Sequence, residues 1–292
     1  MNNAHSPKPG WLKVRLPSGQ QAQDVRELID SNQLHTVCQS ARCPNIGECW
    51  SRRTATFMIM GDVCTRNCRF CAVSTGTAGP LDPDEPMRVA RAVRSLGLRY
   101  VVVTSVTRDD LSDGGAEHFA RTISAIRREQ SGCKIEVLIP DFQGDRDALK
   151  TVFQANPDVL NHNLETIERL YPQVRPQADY HQSLDLLDFA SQQGMLTKTG
   201  IMVGLGETRQ EINILMQNVI DVNCKLLTVG QYLQPTVHHV PVERYVRPEE
   251  FKDIEKTGLL KGFTHIEAAP LVRSSYHADE QYKSTDSAGQ SK

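Results

Sequence analysis

ATFMIMGDVCTRNCRFCAV, residues 55–73, contains the first strand of the predicted fold and the loop that carries most of its chemistry. Its first part, residues 55–61, is a short apolar run that ends at Gly61, which predicts a buried β-strand. Its second part places Cys64, Cys68 and Cys71 in a C-x3-C-x2-C pattern directly after that strand. Loops that follow parallel strands usually carry the functional residues, so this loop is the first candidate site.

Strand-like and helical segments alternate along the rest of the chain. Residues 100–105, YVVVTS, are rich in β-branched side chains, as expected for a strand that is buried on both faces. Such alternation indicates right-handed βαβ units and a parallel sheet. We therefore predict an α/β fold: a partial (β/α)6 parallel barrel, with N-terminal and C-terminal extensions that cover its open face. The predicted strands are 55–61, 100–105, 134–140, 158–164, 196–204 and 226–233, and helices are predicted from Pro86, around 118–128, after Asp145, around 184–190 and over 208–222.

The chain of 292 residues is divided into three parts in this prediction. Residues 1–53 form an N-terminal extension, residues 54–262 the barrel, and residues 263–292 a C-terminal extension. The last part ends in ADEQYKSTDSAGQSK, residues 278–292, whose polar composition predicts disorder. A single domain of this length is common among α/β barrels.

The composition of the chain argues against several classes of partner and location. A net charge of −2 gives no electrostatic reason to expect a nucleic acid partner. No window approaches the roughly 18 consecutive apolar residues of a membrane helix, so no membrane partner is expected. The N-terminus lacks the apolar stretch of a secretory signal, and the expected location is the cytoplasm.

Cysteine usage points to metal chemistry. Six of the eight cysteines fall between Cys38 and Cys71, whereas Cys133 and Cys224 stand alone and are expected in the core. Clustered cysteines in a reducing compartment favour metal binding over disulfides. Three close thiolates can hold an iron–sulfur cubane and leave its fourth iron open to a ligand. A structural zinc would need a fourth protein ligand, and an all-cysteine set favours a cluster over a three-thiolate catalytic zinc.

Another triplet, the first in chain order, precedes the barrel, so that Cys64, Cys68 and Cys71 form the second triplet. Cys38, Cys43 and Cys49 form a C-x4-C-x5-C pattern within TVCQSARCPNIGECW, residues 36–50. Taken alone, this triplet is also compatible with a zinc site completed by His35.

The motifs together resemble a known family. The C-x3-C-x2-C spacing after a strand, with Phe70 before the last cysteine, resembles the radical SAM superfamily, whose members cleave S-adenosylmethionine. The two triplets in succession resemble the lipoyl synthase family. Further motifs extend the resemblance from about Gly10 to Ala278: VVVTSVTRDDLSDGGA, HNLETIERLY, VRPQADY, KTGIMVGLGET, LTVGQYLQPT and VRSSYHAD.

The resemblance implies the cofactors and their ligands. It implies two [4Fe-4S] clusters and S-adenosylmethionine, with no catalytic residue beyond the cluster ligands. A serine of the RSSY motif would complete the auxiliary cluster, and Ser275 is favoured over Ser274. The implied ligands of the auxiliary cluster are Cys38, Cys43, Cys49 and Ser275, those of the radical cluster are Cys64, Cys68 and Cys71, and the implied S-adenosylmethionine contacts are Phe70, Gly114, Gly115, Asn163, Glu165 and Arg175.

The resemblance also implies the reaction and its partners. The substrate would be an octanoyl chain on a lysine of a lipoyl carrier domain, or its peptide, and the electron donor a ferredoxin or flavodoxin. The auxiliary cluster would supply two sulfur atoms. A sulfur-inserting enzyme of the biotin synthase kind and a non-catalytic metal-binding module are the alternatives. Lys198 and the run 108–110 are interpreted as solvated charges, and His238 and His239 as parts of a structural loop.

Overall fold

The computed structural model describes residues 8–13, 20–52 and 55–289. The expected boundary between residues 53 and 54 lies outside this range, as do parts of the N-terminal extension and the last three residues of the polar tail. Ten strands lie within the described ranges. They are β1 (His35–Thr36), β2 (Thr56–Ile59), β3 (Val63–Cys64), β4 (Ser74–Thr75), β5 (Tyr100–Ser105), β6 (Lys134–Leu138), β7 (Val159–Asn161), β8 (Thr197–Val203), β9 (Leu226–Gln231) and β10 (His265–Ala268).

Eight of these strands form one curved sheet in the order β1-β2-β5-β6-β7-β8-β9-β10. Seven of them run parallel, and β1 pairs antiparallel with β2 at one edge. Among the described residues no ladder joins β1 or β2 to β10, so the sheet stays open. The predicted partial parallel barrel is thus confirmed.

The barrel has one more strand than the six predicted. β10 lies within the range that was assigned to the C-terminal extension, and it pairs in parallel register with β9. Its sequence, HIEA, contains a single buried apolar residue, Ile266. The sequence of this four-residue segment does not predict a strand, because it lacks a hydrophobic pattern. The segment is a strand because it pairs with β9.

Helices cover the outer face of the sheet at the predicted places. Pro86 lies in the first turn of the helix that begins at Glu85. Asp145 caps the helix that begins at Arg146 by accepting hydrogen bonds from the amides of Asp147 and Ala148. Thr208 forms a capping box with Glu211 at the start of the helix that begins at Arg209. The helices are α1 (Gln20–Ser31), α2 (Val37–Ser40), α3 (Ile46–Ser51), α4 (Glu85–Ser95), α5 (Ala116–Glu129), α6 (Arg146–Gln154), α7 (Tyr171–Val174), α8 (Tyr180–Gln192), α9 (Arg209–Asp221), α10 (Pro248–Lys261) and α11 (Ala278–Gly289), with 3-10 turns at Phe142–Gly144 and Glu168–Leu170.

The interior of the barrel contains a buried polar cluster around Glu136. The Lys198 ammonium lies 3.0 Å from Glu136 Oε1, and Tyr100 Oη donates to Oε2 at 2.7 Å. Asn161 Nδ2 donates to Oε1 at 2.9 Å. The interpretation of Lys198 as a solvated charge is therefore wrong, because its side chain is fully buried and paired. Burial lowers the pKa of Lys198, and the neighbouring Glu136 carboxylate opposes that shift.

The predicted disorder of the polar C-terminal tail is wrong for residues 278–289, which form α11. Ala278 and Gln281 are buried. The ring of Tyr282 lies 6.0 Å from that of Tyr100, and the Lys134 ammonium lies 5.2 Å from the Tyr282 ring centre. This segment is ordered by docking on the sheet, which its low mean hydropathy does not reveal.

Candidate functional site

The second cysteine triplet lies on a loop that is anchored on several sides. Cys64 ends β3, directly after β2, and its thiol sulfur accepts hydrogen bonds from the amides of Arg66 and Thr107 at 3.4 and 3.3 Å. The amide of Arg69 donates to the Val174 carbonyl oxygen at 2.9 Å. Contacts from both sides of the barrel rim therefore fix residues 64–71.

His239 closes the remaining side of this loop. Its Nε2 lies 2.9 Å from the carbonyl oxygen of Cys71, and its Nδ1 lies 2.8 Å from Thr236 Oγ1. The amide of Val240 donates to the carbonyl of Arg69 at 3.0 Å. His239 thus has the structural loop role that was expected, whereas His238 is exposed.

The first triplet lies on two short helices that pack against the same end of the barrel. Cys38 is on α2, which Thr36 of β1 caps, and Cys49 is on α3. The amide of Cys43 donates to the carbonyl of Cys38 at 3.0 Å, which closes the turn between them. His35 lies on β1 and is not among the described residues that line the cavity beside this triplet.

The C-terminal segment after β10 completes the wall beside the first triplet. Asn45 Nδ2 donates to the carbonyl of Leu271 at 2.6 Å, and Tyr276 Oη donates to Glu48 Oε1 at 3.1 Å. The segment crosses β9 at Gly230, where a Cβ atom would lie 2.0 Å from the Val272 carbonyl oxygen. A side chain at this position would push the segment away from the sheet.

The two neighbouring serines of this segment have different partners. Thr56 Oγ1 donates to Ser275 Oγ at 2.8 Å, and Asn163 Nδ2 donates to Ser274 Oγ at 3.3 Å. The amide of Thr56 also acts on the thiol of Cys38, which places Ser275 on the side of the first triplet. Ser274 is linked instead to the expected S-adenosylmethionine contacts.

One cavity of about 1390 Å³ connects these parts. Its wall includes all six clustered cysteines and both serines. All eight cysteines carry free thiols, five of the six around the cavity are half-buried, and Cys38 is buried. Within the described ranges, no group of three His, Cys, Asp or Glu side chains is placed to hold a single metal ion. The thiols of a cubane bind different irons and so stand farther apart than the ligands of one ion.

The thiols of Cys38, Cys68 and Cys71 are protonated in the metal-free protein at neutral pH. Burial raises the pKa of Cys38 and of Cys68 to about 11, and that of Cys71 to about 12. The charge of Arg175 opposes the shift at Cys68, and the amide of Val73 opposes it at Cys71. Cluster binding therefore releases protons from these thiols.

The residues at the end of β7 were expected to bind S-adenosylmethionine. Asn163, Glu165, Arg175 and Phe70 all line the cavity. Glu165 adopts the left-handed conformation, with φ +65°, and Asn163 Nδ2 donates to its Oε1 at 3.0 Å. Burial raises the pKa of Glu165, and the nearby Arg175 guanidinium opposes that shift.

The hydrogen-bond donors of Arg175 are only partly paired within the described protein. Its NH1 donates to the carbonyl oxygens of Asn163 and Leu164 at 2.7 and 3.3 Å. Its Nε, together with Asn163 Oδ1, is buried without a hydrogen-bond partner among the described residues. Buried polar atoms of this kind indicate a missing ligand.

Gly114 and Gly115 lie away from these residues. The described residues that line the large cavity include neither of them. A Cβ on Gly115, with φ +91°, would lie 2.2 Å from Met60 Sδ, and one on Gly114 would lie 2.8 Å from Phe142 Cδ1. These close approaches require glycine at both positions, and the cofactor contact that was predicted for them stays a prediction.

Two residues that the sequence did not single out face the cavity. His162 Nδ1 lies 2.9 Å from the carbonyl oxygen of Ile139, which can only accept, so Nδ1 carries the proton. The unprotonated Nε2 of His162 and the hydroxyl of Ser105 are buried without a partner in the described part of the chain. His162 could have been predicted as a site residue because it directly precedes Asn163. Ser105 could have been predicted because it ends β5, and residues at the ends of parallel strands often carry function.

Known proteins resemble this chain at both the sequence and the fold level. The family model described as the radical SAM superfamily matches residues 58–219. Proteins named lipoyl synthase match it along most of their length. The relative from Rubrobacter xylanophilus is 58% identical over 94% of this chain and 86% of its own, that from Caldanaerobacter subterraneus subsp. tengcongensis 56% over 93% and 96%, and that from Bacteroides fragilis 50% over 97% and 98%.

Solved structures share the fold at low sequence identity. Streptococcus suis SuiB bound to S-adenosylmethionine superposes with a TM-score of 0.58, at 11% identity, over 77% of this chain and 53% of that one. Methylornithine synthase (PylB) gives a TM-score of 0.52, at 17% identity, over 78% and 68%.

Fold, cysteine loop and family model agree: the chain belongs to the radical SAM superfamily. Its two cysteine triplets and its similarity over nearly the whole chain place it within one branch. That branch is the lipoyl synthase family. The biotin synthase and non-catalytic alternatives are thereby set aside.

Proposed function

We propose that this chain inserts two sulfur atoms into an octanoyl chain that is amide-linked to a lysine of a lipoyl carrier domain. The observation that carries this proposal is the single cavity whose wall holds both cysteine triplets. A radical source and a sulfur source that face one cavity can act on one substrate carbon without the substrate leaving.

The residues around the cavity suit the cofactors of the family. When bound, a reduced cluster at Cys64, Cys68 and Cys71 supplies the electron that splits S-adenosylmethionine into methionine and a hydrogen-abstracting 5′-deoxyadenosyl radical, and a cluster at the first triplet supplies the sulfur. Six free thiols provide the soft ligands that iron–sulfur clusters require. The indole N–H of Trp50 lies near the Cys38 thiol and lowers its pKa, as expected for a donor to cluster sulfur.

Ser275 is our proposed fourth ligand at the first triplet. Its hydrogen bond from Thr56, which also contacts Cys38, supports this choice over Ser274. A hydroxyl ligand binds iron less well than a thiolate, because soft sulfur suits the metal better. A weak ligand suits a cluster that gives up sulfur.

We propose that Asn163, Glu165 and Arg175 hold S-adenosylmethionine, with Phe70 packing beside it. Arg175 Nε and Asn163 Oδ1 are the unsatisfied atoms that a bound amino acid end and ribose would pair with. His162 Nε2 and the Ser105 hydroxyl add one acceptor and one donor to the same wall. These groups orient the sulfonium so that its ribose carbon faces the substrate.

Apolar side chains from four strands line the cavity and fit an alkyl chain: Met58, Val102, Leu138 and Ile201. A cavity of this kind excludes water, which protects a carbon radical from side reactions. An extended lysine arm would carry the alkyl chain from the surface of its carrier domain into this cavity.

A ferredoxin or flavodoxin is our proposed electron donor, because an external one-electron donor must reduce the radical cluster. No helix of the described segments has the length and apolar character needed to span a bilayer. We propose the cytoplasm as the site of action, since eight free thiols suit a reducing compartment.

The test is an anaerobic reconstitution followed by one assay. Iron and sulfide are restored and counted, then dithionite, S-adenosylmethionine and an octanoyl-lysine peptide are added, and products are followed by mass. We expect roughly eight irons per chain, 5′-deoxyadenosine, and a peptide that has gained two sulfurs. Radical cleavage without sulfur gain would contradict the proposed substrate, and iron-free protein would contradict the clusters.

A further inference from the structure

Arg66 lies between the first and second cysteines of the second triplet, and its guanidinium forms a bidentate contact with each of two carboxylates. Its Nε and NH2 donate to Asp109 at 2.6 and 3.0 Å, and its NH1 and NH2 donate to Asp141 at 2.7 and 2.6 Å. The side chain is 6% exposed. A planar guanidinium that meets two carboxylates in this way is held in position and direction.

The two carboxylates come from separate loops of the barrel rim. Asp109 follows β5 and its amide donates to Thr65 Oγ1 at 3.0 Å, whereas Asp141 follows β6 and accepts from the amide of Gln143 at 3.0 Å. Asp141 is fully buried, and Asp109 is 27% exposed. Residues 65 and 66 are therefore both held against the barrel rim by hydrogen bonds.

The clamp joins one guanidinium to two carboxylates, which leaves one negative charge within it. The Arg175 guanidinium adds a positive charge that acts on both Asp141 and Cys68. Burial raises the pKa of Asp141, but the hydrogen bonds and charge of Arg66 outweigh it and lower the pKa below its ordinary value. Asp109 is held in the same clamp, so its expected solvated role is wrong.

We propose that Arg66 is a positioning residue, clamped by Asp109 and Asp141, which fixes the radical-cluster loop, and that the carboxylates of the clamp place negative charge near its cluster. The proposal rests on the proposed function, in which Cys64, Cys68 and Cys71 hold that cluster. The clamp holds the loop against the rim in the metal-free protein. In the loaded protein, these carboxylates would lower the reduction potential, because negative charge disfavours an added electron.

Two substitutions separate geometry from charge. Arg66→Lys keeps the positive charge but loses the planar fork, and Asp141→Asn keeps the shape but removes one negative charge. Asp110→Asn is the matched control. Asp110 also accepts two hydrogen bonds from an arginine, Arg108, at 2.8 Å each, but it lies outside the clamp.

The first readout is amide hydrogen exchange of residues 64–71 in the metal-free full-length chain. We expect Arg66→Lys to raise exchange there by at least ~10-fold, because an ammonium cannot form the bidentate hydrogen bonds that join both carboxylates, and Asp110→Asn to leave it unchanged. Equal exchange in wild type and Arg66→Lys would overturn the clamp. Asp109→Asn, which retains Asp141, repeats the test should Arg66→Lys fail to fold.

The second readout is the midpoint potential of the radical cluster in the loaded chain. Asp141→Asn is expected to raise the potential, whereas Arg66→Lys is expected to change it less. An unchanged potential in Asp141→Asn would overturn the charge part of the proposal. If wild type bound no cluster at the second triplet, the proposed function would fail, while the exchange result would still report on the clamp.

Discussion

At the scale of single residues, Ser274 and Ser275 show how neighbours in sequence serve different parts of one site. Ser275 is bonded to Thr56, beside Cys38, and Ser274 to Asn163, beside Glu165. The structure distinguishes their roles, whereas the sequence does not, because both serines belong to the same RSSY tetrapeptide. Their substitutions should therefore have different consequences.

Ser275→Ala is expected to lose the cluster at the first triplet, and Ser274→Ala to keep it. About four of roughly eight irons should be missing from Ser275→Ala after reconstitution. In Ser274→Ala the iron content should be normal and S-adenosylmethionine binding weaker, because Asn163 loses a partner. Iron counts and equilibrium binding measure both effects, and full iron in Ser275→Ala would refute the ligand assignment.

His162 predicts a pH dependence of stability. Burial, followed by the charge of Arg175, lowers the pKa of His162 to about 4 from its ordinary 6.5. As the pH falls below 6.5, His162 becomes protonated in the unfolded chain but stays neutral in the folded chain until about pH 4. The free energy of unfolding therefore decreases over this range. Between pH 7.5 and pH 5 the loss is about 2 kcal/mol.

Urea unfolding of the metal-free protein at the two pH values measures this loss. His162→Gln retains a donor for the Ile139 carbonyl but does not titrate, so its stability should fall less between the same pH values. An equal loss in both proteins would show that other groups cause the acid sensitivity.

At the scale of elements, the sequence is informative where local signals and tertiary contacts agree. The apolar runs at β2, β5 and β8, the cap at Asp145 and the helix over 208–222 all lie where they were predicted. β10 and α11 were missed because pairing and docking, rather than composition, order them. The cofactor contact of Gly114 and Gly115 stays a prediction, because sequence does not tell which neighbour requires a close approach.

The start of α9 gives a prediction at this scale. Hydrogen bonds from Arg169, and next from the amide of Thr208, lower the pKa of Glu211 to about 2 from 4.5. The stability that this carboxylate contributes is thus present above pH 4.5 and lost as pH falls toward 2. Because the pair is exposed, Glu211→Gln should cost less than about 1 kcal/mol at pH 7.

The cost of Glu211→Gln should shrink between pH 7 and pH 3, as urea unfolding would reveal. Thr208→Ala is the control, since it removes the cap to the Glu211 amide and should cost about 1 kcal/mol. A pH-independent cost for Glu211→Gln would contradict the assigned shift.

At the scale of the whole molecule, segments from both ends of the chain meet at the open side of the barrel. The first triplet comes before the barrel and the serines come after it, so the site exists only when the fold is complete. The two triplets and the S-adenosylmethionine motif could be predicted from sequence. The clamp at Arg66 could not, because its partners lie 43 and 75 residues away.

Removing the first triplet should separate the two halves of the reaction. A chain with Cys38, Cys43 and Cys49 all changed to Ala is expected to keep the radical cluster, because residues 64–71 are anchored by the barrel alone. It should still form 5′-deoxyadenosine but add no sulfur to the peptide. Sulfur insertion by this variant would refute the first triplet as the sulfur source.

Truncation after His277 should lower the melting temperature of the metal-free protein by about 5 °C, as expected for the loss of the apolar contacts of α11. A scanning calorimetry experiment measures it, with Tyr282→Leu as a milder variant that retains the helix. An unchanged melting temperature would show that α11 contributes nothing to the fold.

The smallest strand of the sheet links the position of the first triplet to that of the second. β1 is two residues long, and it pairs His35 with Met58 and Thr36 with Phe57. Cys38 follows it by two residues, and β2 leads directly to Cys64. A shift of this pairing by two residues, the smallest that keeps the side chains on their faces, would move the first triplet by about 7 Å. The pairing of two residues on each strand thus sets the spacing between the two groups of thiols.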